Sequence, residues 1–231
     1  MTRLIFDYGH GGTDPGAMYK GRKEADDVLS IGKSVATEVR RHGVTLDETR
    51  TTDKTVTLRE RSNLENRKKY DYFISFHRNA FQPEKAKGVE TFLYTTGGAQ
   101  AKQLAERIQK ELVAVGFANR GVKRANFHVL RETKAPAVLI EIGFIDNTAD
   151  NQLFDKKRKQ IVEGIARAIL NQVGVTYKAV ASNSVTPEKP TSSSTGTLYR
   201  VMAGSFANKA NAEKQVAKLK KAGFDAVIMP K

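Results

Sequence analysis

Two of the four histidines in this 231-residue chain follow short apolar segments. His10 follows residues 4–7 and opens a glycine-rich stretch, whereas His77 ends residues 72–77. If both segments are strands of an open sheet, their carboxyl ends lie at one edge and the imidazoles could converge. A carboxylate such as Glu24, at the start of the first predicted helix, would complete a His₂Glu set that leaves zinc one position for water. Spacing alone is also consistent with an alternative in which no metal is bound. The two histidines would then only form hydrogen bonds at the strand ends, and Glu24 would only interact with the helix dipole.

Glu141 lies within an otherwise apolar segment, residues 137–144, which predicts a central strand. An unpaired carboxylate in such a strand is costly, so the side chain must be paired, protonated or facing a site. Apolar surroundings raise the pKa of a carboxyl group, which suits a general acid–base. The alternative is a buried structural ion pair.

The other two histidines carry weaker signals. His42 follows two arginines at a predicted helix end, which favours a surface position. His128 could reach the site from a predicted strand, and we assign it a structural or substrate-contact role. The chain has no Cys, so any metal must be held by histidines and carboxylates. A P-loop lysine and a Gly-x-Ser-x-Gly elbow are both absent, which disfavours nucleotide binding and serine hydrolysis.

The formal net charge of +14 favours anionic polymers, namely nucleic acid, anionic membrane or acidic wall polymers. Nucleic acid is not expected, because the sequence has no RNP-like aromatic motif and no zinc-finger spacing. Its apolar runs are too short to span a bilayer. The N-terminus has neither the basic start nor the long apolar run of a secretory signal. We therefore expect synthesis in the cytoplasm without a signal peptide.

Apolar strand-like runs alternate with amphipathic helical segments through the first 175 residues. Strands are predicted at residues 4–7, 44–46, 72–77, 89–94, 127–130 and 138–142, and helices at 24–41, 58–69, 99–115 and 150–173. This alternation predicts an α/β domain with a twisted, mostly parallel sheet of about six strands and helices on both faces.

The composition changes after residue 175. Residues 176–197 contain few large apolar side chains and read as a flexible linker between a domain at 1–175 and a segment at 198–231. Within that last segment, strands are predicted at 198–202 and 226–229 around a helix at 210–222. Such a partial β-α-β unit is below the size that normally folds alone.

A series of short blocks connects the chain to a known family. The blocks are residues 7–12, 14–16, 24, 49–53, 58–63, 75–79, 88–92, 129–133, 136–139 and 141–147. Together they make residues 2–172 resemble the zinc N-acetylmuramoyl-L-alanine amidases of the amidase-3 type, which include sporulation amidases of bacilli and phage lysins.

The resemblance implies a fold, a cofactor and an activity. It implies a twisted sheet of about six strands, one zinc ion held by His10, Glu24 and His77, and Glu141 as catalytic acid–base. The implied reaction is hydrolysis of the amide between N-acetylmuramic acid and L-alanine in peptidoglycan, during sporulation or phage release. Without a signal peptide, the enzyme would reach the wall after lysis or release.

The same blocks suggest further contacts. Arg50, Asn63 and Asn79, together with His128, are our predicted substrate-binding residues. Asp7 and Asn79 are candidates for fixing the orientation of the histidine ligands.

Two positions depart from the common family pattern. Tyr8 stands where Pro is common, and we expect it to alter the loop that carries His10. Arg78 stands where a small residue is common, and we expect it to alter substrate preference.

The C-terminal segment resembles one half of the SPOR repeat, which implies binding to peptidoglycan glycan strands. Peptidoglycan and anionic wall polymers are therefore the expected partners. Two alternatives remain: a non-catalytic wall-binding protein, and a zinc peptidase that cuts within the stem peptide. The newly exposed amino terminus separates the two hydrolases, since only the amidase exposes that of L-alanine.

Overall fold

The computed structural model describes residues 2–179, 204–221 and 226–228. The chain divides into two compact units, Met1–Ala181 and Ser182–Lys231. The strands are β1 (Arg3–Tyr8), β2 (Met18–Tyr19), β3 (Arg22–Lys23), β4 (Thr45–Glu48), β5 (Tyr72–Asn79), β6 (Val89–Leu93), β7 (Asn119–Arg124) and β8 (Ala137–Phe144). The helices are α1 (Glu24–Arg40), α2 (Leu58–Asn66), α3 (Ala99–Val115), α4 (His128–Arg131), α5 (Thr148–Lys156), α6 (Arg158–Gln172) and α7 (Lys209–Lys221).

Six strands form one sheet in the order β4-β1-β5-β8-β6-β7. Every neighbouring pair is parallel except β6 and β8, which run antiparallel. Helices α1, α3 and α6 contribute to a large apolar core on one face, and α4 contributes to a smaller core on the other. The predicted α/β class, with a mostly parallel sheet covered on both faces, is confirmed.

The alternation of side chains along β5 separates core from site. Tyr72, Ile74 and Phe76 enter the large core, whereas Phe73 enters the smaller one. Successive strand residues point to opposite faces, so Ser75 and His77 share the face of Phe73. The polar residues of β5 therefore lie on the side of the sheet that carries the smaller core.

The large sheet of the first unit differs from the prediction in one strand that is absent and one that was not predicted. Residues 127–130, predicted as a strand, are instead the approach to α4 and its first three residues. A short apolar run does not distinguish a strand from a helix. Val129 and Leu130 are buried in the smaller core although they lie in a single helical turn. The sixth strand is β7, which was not predicted because only Val122 in it is apolar.

The predicted helix at 150–173 is divided at Lys157 into α5 and α6. No helix among the described residues is long and apolar enough to cross a bilayer.

In the second unit, α7 corresponds to the helix predicted at 210–222, of which residue 222 lies outside the described residues. The strand predicted at 198–202 also lies outside them. Residues 226–228, the described part of the strand predicted at 226–229, are not in a strand.

Candidate functional site

Three side chains from separate elements meet at the carboxyl edge of the sheet. His10 follows β1, His77 lies near the end of β5, and Glu24 is the first residue of α1. Glu24 Oε1 lies 3.1 Å from His10 Nε2 and 2.9 Å from His77 Nδ1. The two imidazole rings are 5.0 Å apart in an edge-to-face arrangement. The convergence expected from the strand ends is therefore present.

Glycines leave room for the two imidazole rings, and the backbone at His10 is strained. His10 has a φ of 60°, a conformation that non-glycine residues adopt rarely. Gly9 lies against the His77 ring so closely that a Cβ there would be 2.2 Å from its Cε1 atom. A Cβ at Gly16 would lie 2.7 Å from both Glu24 and His10. The glycines of this segment thus allow the backbone to approach the three side chains.

The ring nitrogen of His10 that points away from Glu24 also has a partner. Its Nδ1 lies 2.8 Å from Asp14 Oδ2, four residues further along the same loop. A carboxylate on the second nitrogen of a ligating histidine fixes the ring orientation and tautomer. Asp14 takes this position for His10, whereas Asp7 and Asn79, the sequence candidates, bond to other groups.

Glu24 is held as an ionised carboxylate. It is buried, and it accepts hydrogen bonds from the backbone N–H groups of Arg78 at 3.0 Å and Ala17 at 3.0 Å. Burial alone would raise the pKa of Glu24, but hydrogen bonds and charge from His10 and His77 hold it well below its usual range. Burial opposes protonation of His10, yet Glu24 and Asp14 raise the pKa of that imidazole.

The three side chains fit a zinc ion by donor chemistry and spacing. One donor atom from each of His10, Glu24 and His77 lies within 4.8 Å of the others, which is the one such group of three among the described residues. Two ligands of a tetrahedral zinc ion lie roughly 3.3 Å apart when the bonds are about 2.0–2.1 Å long. The two distances from Glu24 Oε1 to the histidines are close to that value.

Glu141 lies in β8 beside this group. Its Cα is paired with that of His77 on β5 and with that of Glu90 on β6. Its Oε2 is buried and has no hydrogen-bond partner among the described residues. Burial raises the pKa of Glu141 well above its usual value, and the charges of Glu24 and Glu90 raise it further. A buried carboxyl group with a raised pKa is suited to general acid–base catalysis.

A cavity of about 520 Å³ opens over these groups. Its lining includes Leu58 and Arg61 of α2, Phe127 and His128 at the start of α4, and Leu139 and Glu141 of β8. Leu58 and Phe127 are exposed apolar residues, at 56% and 41%. Exposed apolar groups around a polar centre are typical of ligand-binding clefts.

The predicted substrate-binding residues divide into two groups. Asn79 and His128 line the cavity, and His128 Nε2 lies 3.2 Å from the Ser62 hydroxyl. Asn63 is exposed and does not line it. Arg50 is buried outside the cavity and donates to the carbonyls of Tyr8, Gly9, Ala25 and Thr52. The position of Arg50 is that of a brace for the His10 loop, not of a substrate contact.

The two family departures also face the interior. Tyr8 packs against Gly32 of α1 and donates to Glu48 at 2.8 Å, so its side chain lies in the core. The Arg78 guanidinium is buried and donates to Asp27 at 2.6 Å and to Asn151 at 2.8 Å. Arg78 also lines the cavity, although its guanidinium is held by these interior partners, and its effect on substrate preference stays a prediction.

Arg61 is a site residue that the sequence did not single out. Its guanidinium donates to Asp7 Oδ1 at 2.7 Å, to the Tyr8 carbonyl at 2.6 Å and to the His10 carbonyl at 2.8 Å. It thereby ties α2 to the loop that carries His10. A charged residue on a polar helix gives no sequence signal for burial, and only the segment 58–63 in the family pattern includes it.

Comparisons with known proteins agree on one family. A family model described as N-acetylmuramoyl-L-alanine amidase matches residues 4–171, and a SPOR domain model matches residues 166–230. A sporulation-specific N-acetylmuramoyl-L-alanine amidase of Bacillus subtilis is 37% identical over 100% of this chain and 86% of that protein. An endolysin of Bacillus phage SPP1 is 37% identical over 84% of this chain and 75% of its own length.

Solved structures show the same relationship. The crystal structure of an N-acetylmuramoyl-L-alanine amidase from Clostridium difficile 630 superposes with a TM-score of 0.72 and 33% identity, covering 75% of this chain and 97% of that one. The chain therefore belongs to the N-acetylmuramoyl-L-alanine amidase family and carries a SPOR domain match in its C-terminal part.

Proposed function

We propose that this enzyme hydrolyses the amide between N-acetylmuramic acid and L-alanine in peptidoglycan, with one zinc ion held by His10, Glu24 and His77 and with Glu141 as acid–base. One observation carries the proposal. A His₂Glu set with zinc-like spacing lies beside a carboxyl group that has a raised pKa and an unpartnered oxygen. Membership of the amidase family supports the choice of bond.

The metal and the acid–base have separate tasks. Zinc bound there would supply a Lewis acid for the scissile carbonyl and lower the pKa of a water molecule. Glu141 accepts a proton from the attacking water and then donates it to the nitrogen of the leaving L-alanine. The raised pKa of Glu141 suits both steps, since a carboxyl group in these buried surroundings holds a proton more readily than an exposed one.

The groups behind the ligands keep the site in register. Asp14 orients the His10 ring, and the backbone N–H of Arg78 and of Ala17 orient the Glu24 carboxylate. Arg50 and Arg61 hold the backbone of the loop that carries His10. Because these groups already hold the ligands in place, little reorganisation is needed when substrate enters.

The charge and the C-terminal part suggest how the enzyme stays at the wall. A net charge of +14 attracts anionic wall polymers, and a tethered peptidoglycan-binding SPOR domain would add a second contact. The similarity to a sporulation amidase and to an endolysin supports action on the wall during lysis or release.

Substitution of Glu141 by Gln tests the assigned role. The amide keeps the shape of the side chain but cannot take the proton, so we expect zinc content to remain at one per chain while turnover falls by about 10²–10⁴-fold. Zinc is counted by elemental analysis, and turnover is followed by release of L-alanine amino termini. Turnover within a few-fold of the original would show that Glu141 is not the acid–base.

A further inference from the structure

Paired residues on adjacent strands form a row that runs from the catalytic centre to the edge strand β7. His77 of β5 is paired with Glu141 of β8, and Glu141 is paired with Glu90 of β6. On β7, Arg120 lies at the register shift opposite Glu90, between the pairs Val89–Asn119 and Thr91–Val122. One row of residues thus runs across four strands and ends in a cation.

The neighbouring row also ends in a cation, after an apolar stretch. Leu139 of β8 is paired with Phe92 of β6, and Phe92 is paired with Lys123 of β7. Phe127, which lines the cavity, packs edge-to-face on Phe92 at 5.2 Å. An apolar surface therefore lies between the catalytic groups and the β7 edge.

Two cations meet one carboxylate at the end of these rows. The buried Glu90 carboxylate accepts hydrogen bonds from Arg120 Nε at 3.2 Å and from Lys123 Nζ. Its other oxygen accepts from Asn79 Nδ2, and Asn79 lines the cavity. The side chains of Arg120 and Lys123 are 36% and 41% exposed, whereas that of Glu90 is 6% exposed. Two cations against one carboxylate leave one positive charge beside Asn79, a residue that lines the cavity.

The distance from Glu141 to these cations matches the second residue of a bound peptide. Neighbouring strands are about 4.8 Å apart, so β7 lies roughly 10 Å from β8 across the sheet. An extended peptide advances about 3.3 Å per residue, which places the backbone nitrogen of its second residue roughly 3.3 Å from the scissile nitrogen of its first. The remaining distance of roughly 7 Å is spanned from one side by the carboxyl group of the second residue and from the other by the long side chains of Arg120 and Lys123, whose charged ends reach back to Glu90 on β6.

On these grounds we propose that Arg120 and Lys123 bind a free carboxylate on the second residue of the stem peptide, after L-alanine. This inference rests on the proposed function, because it places the leaving nitrogen at Glu141. Stem peptides differ in whether that residue carries a free carboxylate or an amide. The cations would therefore make the enzyme favour stem peptides with the free carboxylate.

The test compares two muramyl dipeptides that have the same blocked terminus and differ only in a carboxylate or an amide on the second residue. Their dissociation constants are measured by calorimetry on the full chain carrying Glu141→Gln, which prevents turnover. We expect the carboxylate ligand to bind about tenfold more tightly, as for a partly exposed charge-assisted contact. Adding Lys123→Met should remove most of this preference.

Two further variants separate recognition from folding. Lys123→Arg keeps the charge and should retain the preference. Lys68→Met is a matched control, since Lys68 also pairs with a carboxylate, Asp47, but beside the opposite edge strand β4. It should leave the preference intact. An unchanged preference in Lys123→Met, or no preference in the Glu141→Gln chain itself, overturns the inference.

Turnover by the unmodified enzyme distinguishes the two claims. If the bond between N-acetylmuramic acid and L-alanine is cleaved but the ligand with the free carboxylate does not bind more tightly, the specificity site is wrong and the proposed function stands. If the carboxylate is favoured through Lys123 but no L-alanine terminus appears, the proposed function is wrong and the specificity site stands.

Discussion

Substitution of Gly9 by Ala should move a proposed zinc ligand without removing it. A Cβ at residue 9 would lie 2.2 Å from His77 Cε1, 2.6 Å from Nε2 and 2.7 Å from Nδ1. Ordinary contact begins at 3.4 Å, so the ring must move by about 1.2 Å. Gly9 has no positive φ, so alanine there strains the ring position and not the backbone conformation.

A shift of that size is large for a metal site. Zinc–ligand distances are held to within about 0.2 Å, and perturbing only the partners of a ligand weakens metal binding by about 10–100-fold. We therefore expect Gly9→Ala to lower zinc affinity by about 100-fold, with a matching loss of activity at limiting zinc. Affinity is measured by competition with a chromophoric chelator.

Gly98→Ala is the control, because a Cβ at Gly98 meets nothing within 4 Å. It should leave zinc affinity unchanged. If Gly9→Ala bound zinc as tightly as the original chain, or lost thermal stability without losing zinc affinity, His77 would not be positioned as a ligand by this contact.

Two further predictions concern the elements that hold the site. Asp7→Asn removes the charged partner of buried Arg61 and should cost about 3 kcal/mol of unfolding free energy at pH 7 in urea titrations. Burial opposes ionisation of Asp7, but Arg61, Ser75 and Thr49 lower its pKa. The stabilisation is therefore fully present above the pKa of Asp7 in the unfolded chain, and it is lost as the pH falls through the lower pKa of the folded protein. A difference in unfolding free energy between the two proteins that stayed constant down to pH 2 would contradict this. Thr57→Ala breaks the capping box with Glu60 at the start of α2 and should cost about 1 kcal/mol while zinc affinity stays the same. An unchanged urea midpoint would show that the cap does not stabilise α2.

The chemistry at strand ends could be read from the sequence because residue type and position reinforce each other. His10 and His77 follow apolar segments, and parallel strands bring their carboxyl ends to one edge. Glu141 was detectable because a carboxylate in an apolar strand is costly unless it serves a site. The roles of these residues remain proposals, although their proximity is observed.

Other features depend on contacts that a linear pattern does not encode. Asp14 contacts His10 within a loop in which His10 itself has a positive φ, a conformation that the sequence does not announce. Arg50 and Arg61 would be expected at the surface, yet both are buried because loop carbonyls satisfy their guanidinium groups. The edge strand β7 pairs with β6 but contains only one apolar residue, so its sequence lacks the apolar–polar alternation that would predict a strand.

The most direct test of the central claim is digestion of purified peptidoglycan with and without a chelator, followed by identification of each new amino terminus. The proposed mechanism predicts new L-alanine termini that disappear on chelation and return when zinc is added. Termini of another stem-peptide residue would move the scissile bond into the peptide, and L-alanine release that persists after complete removal of metal would contradict the zinc site.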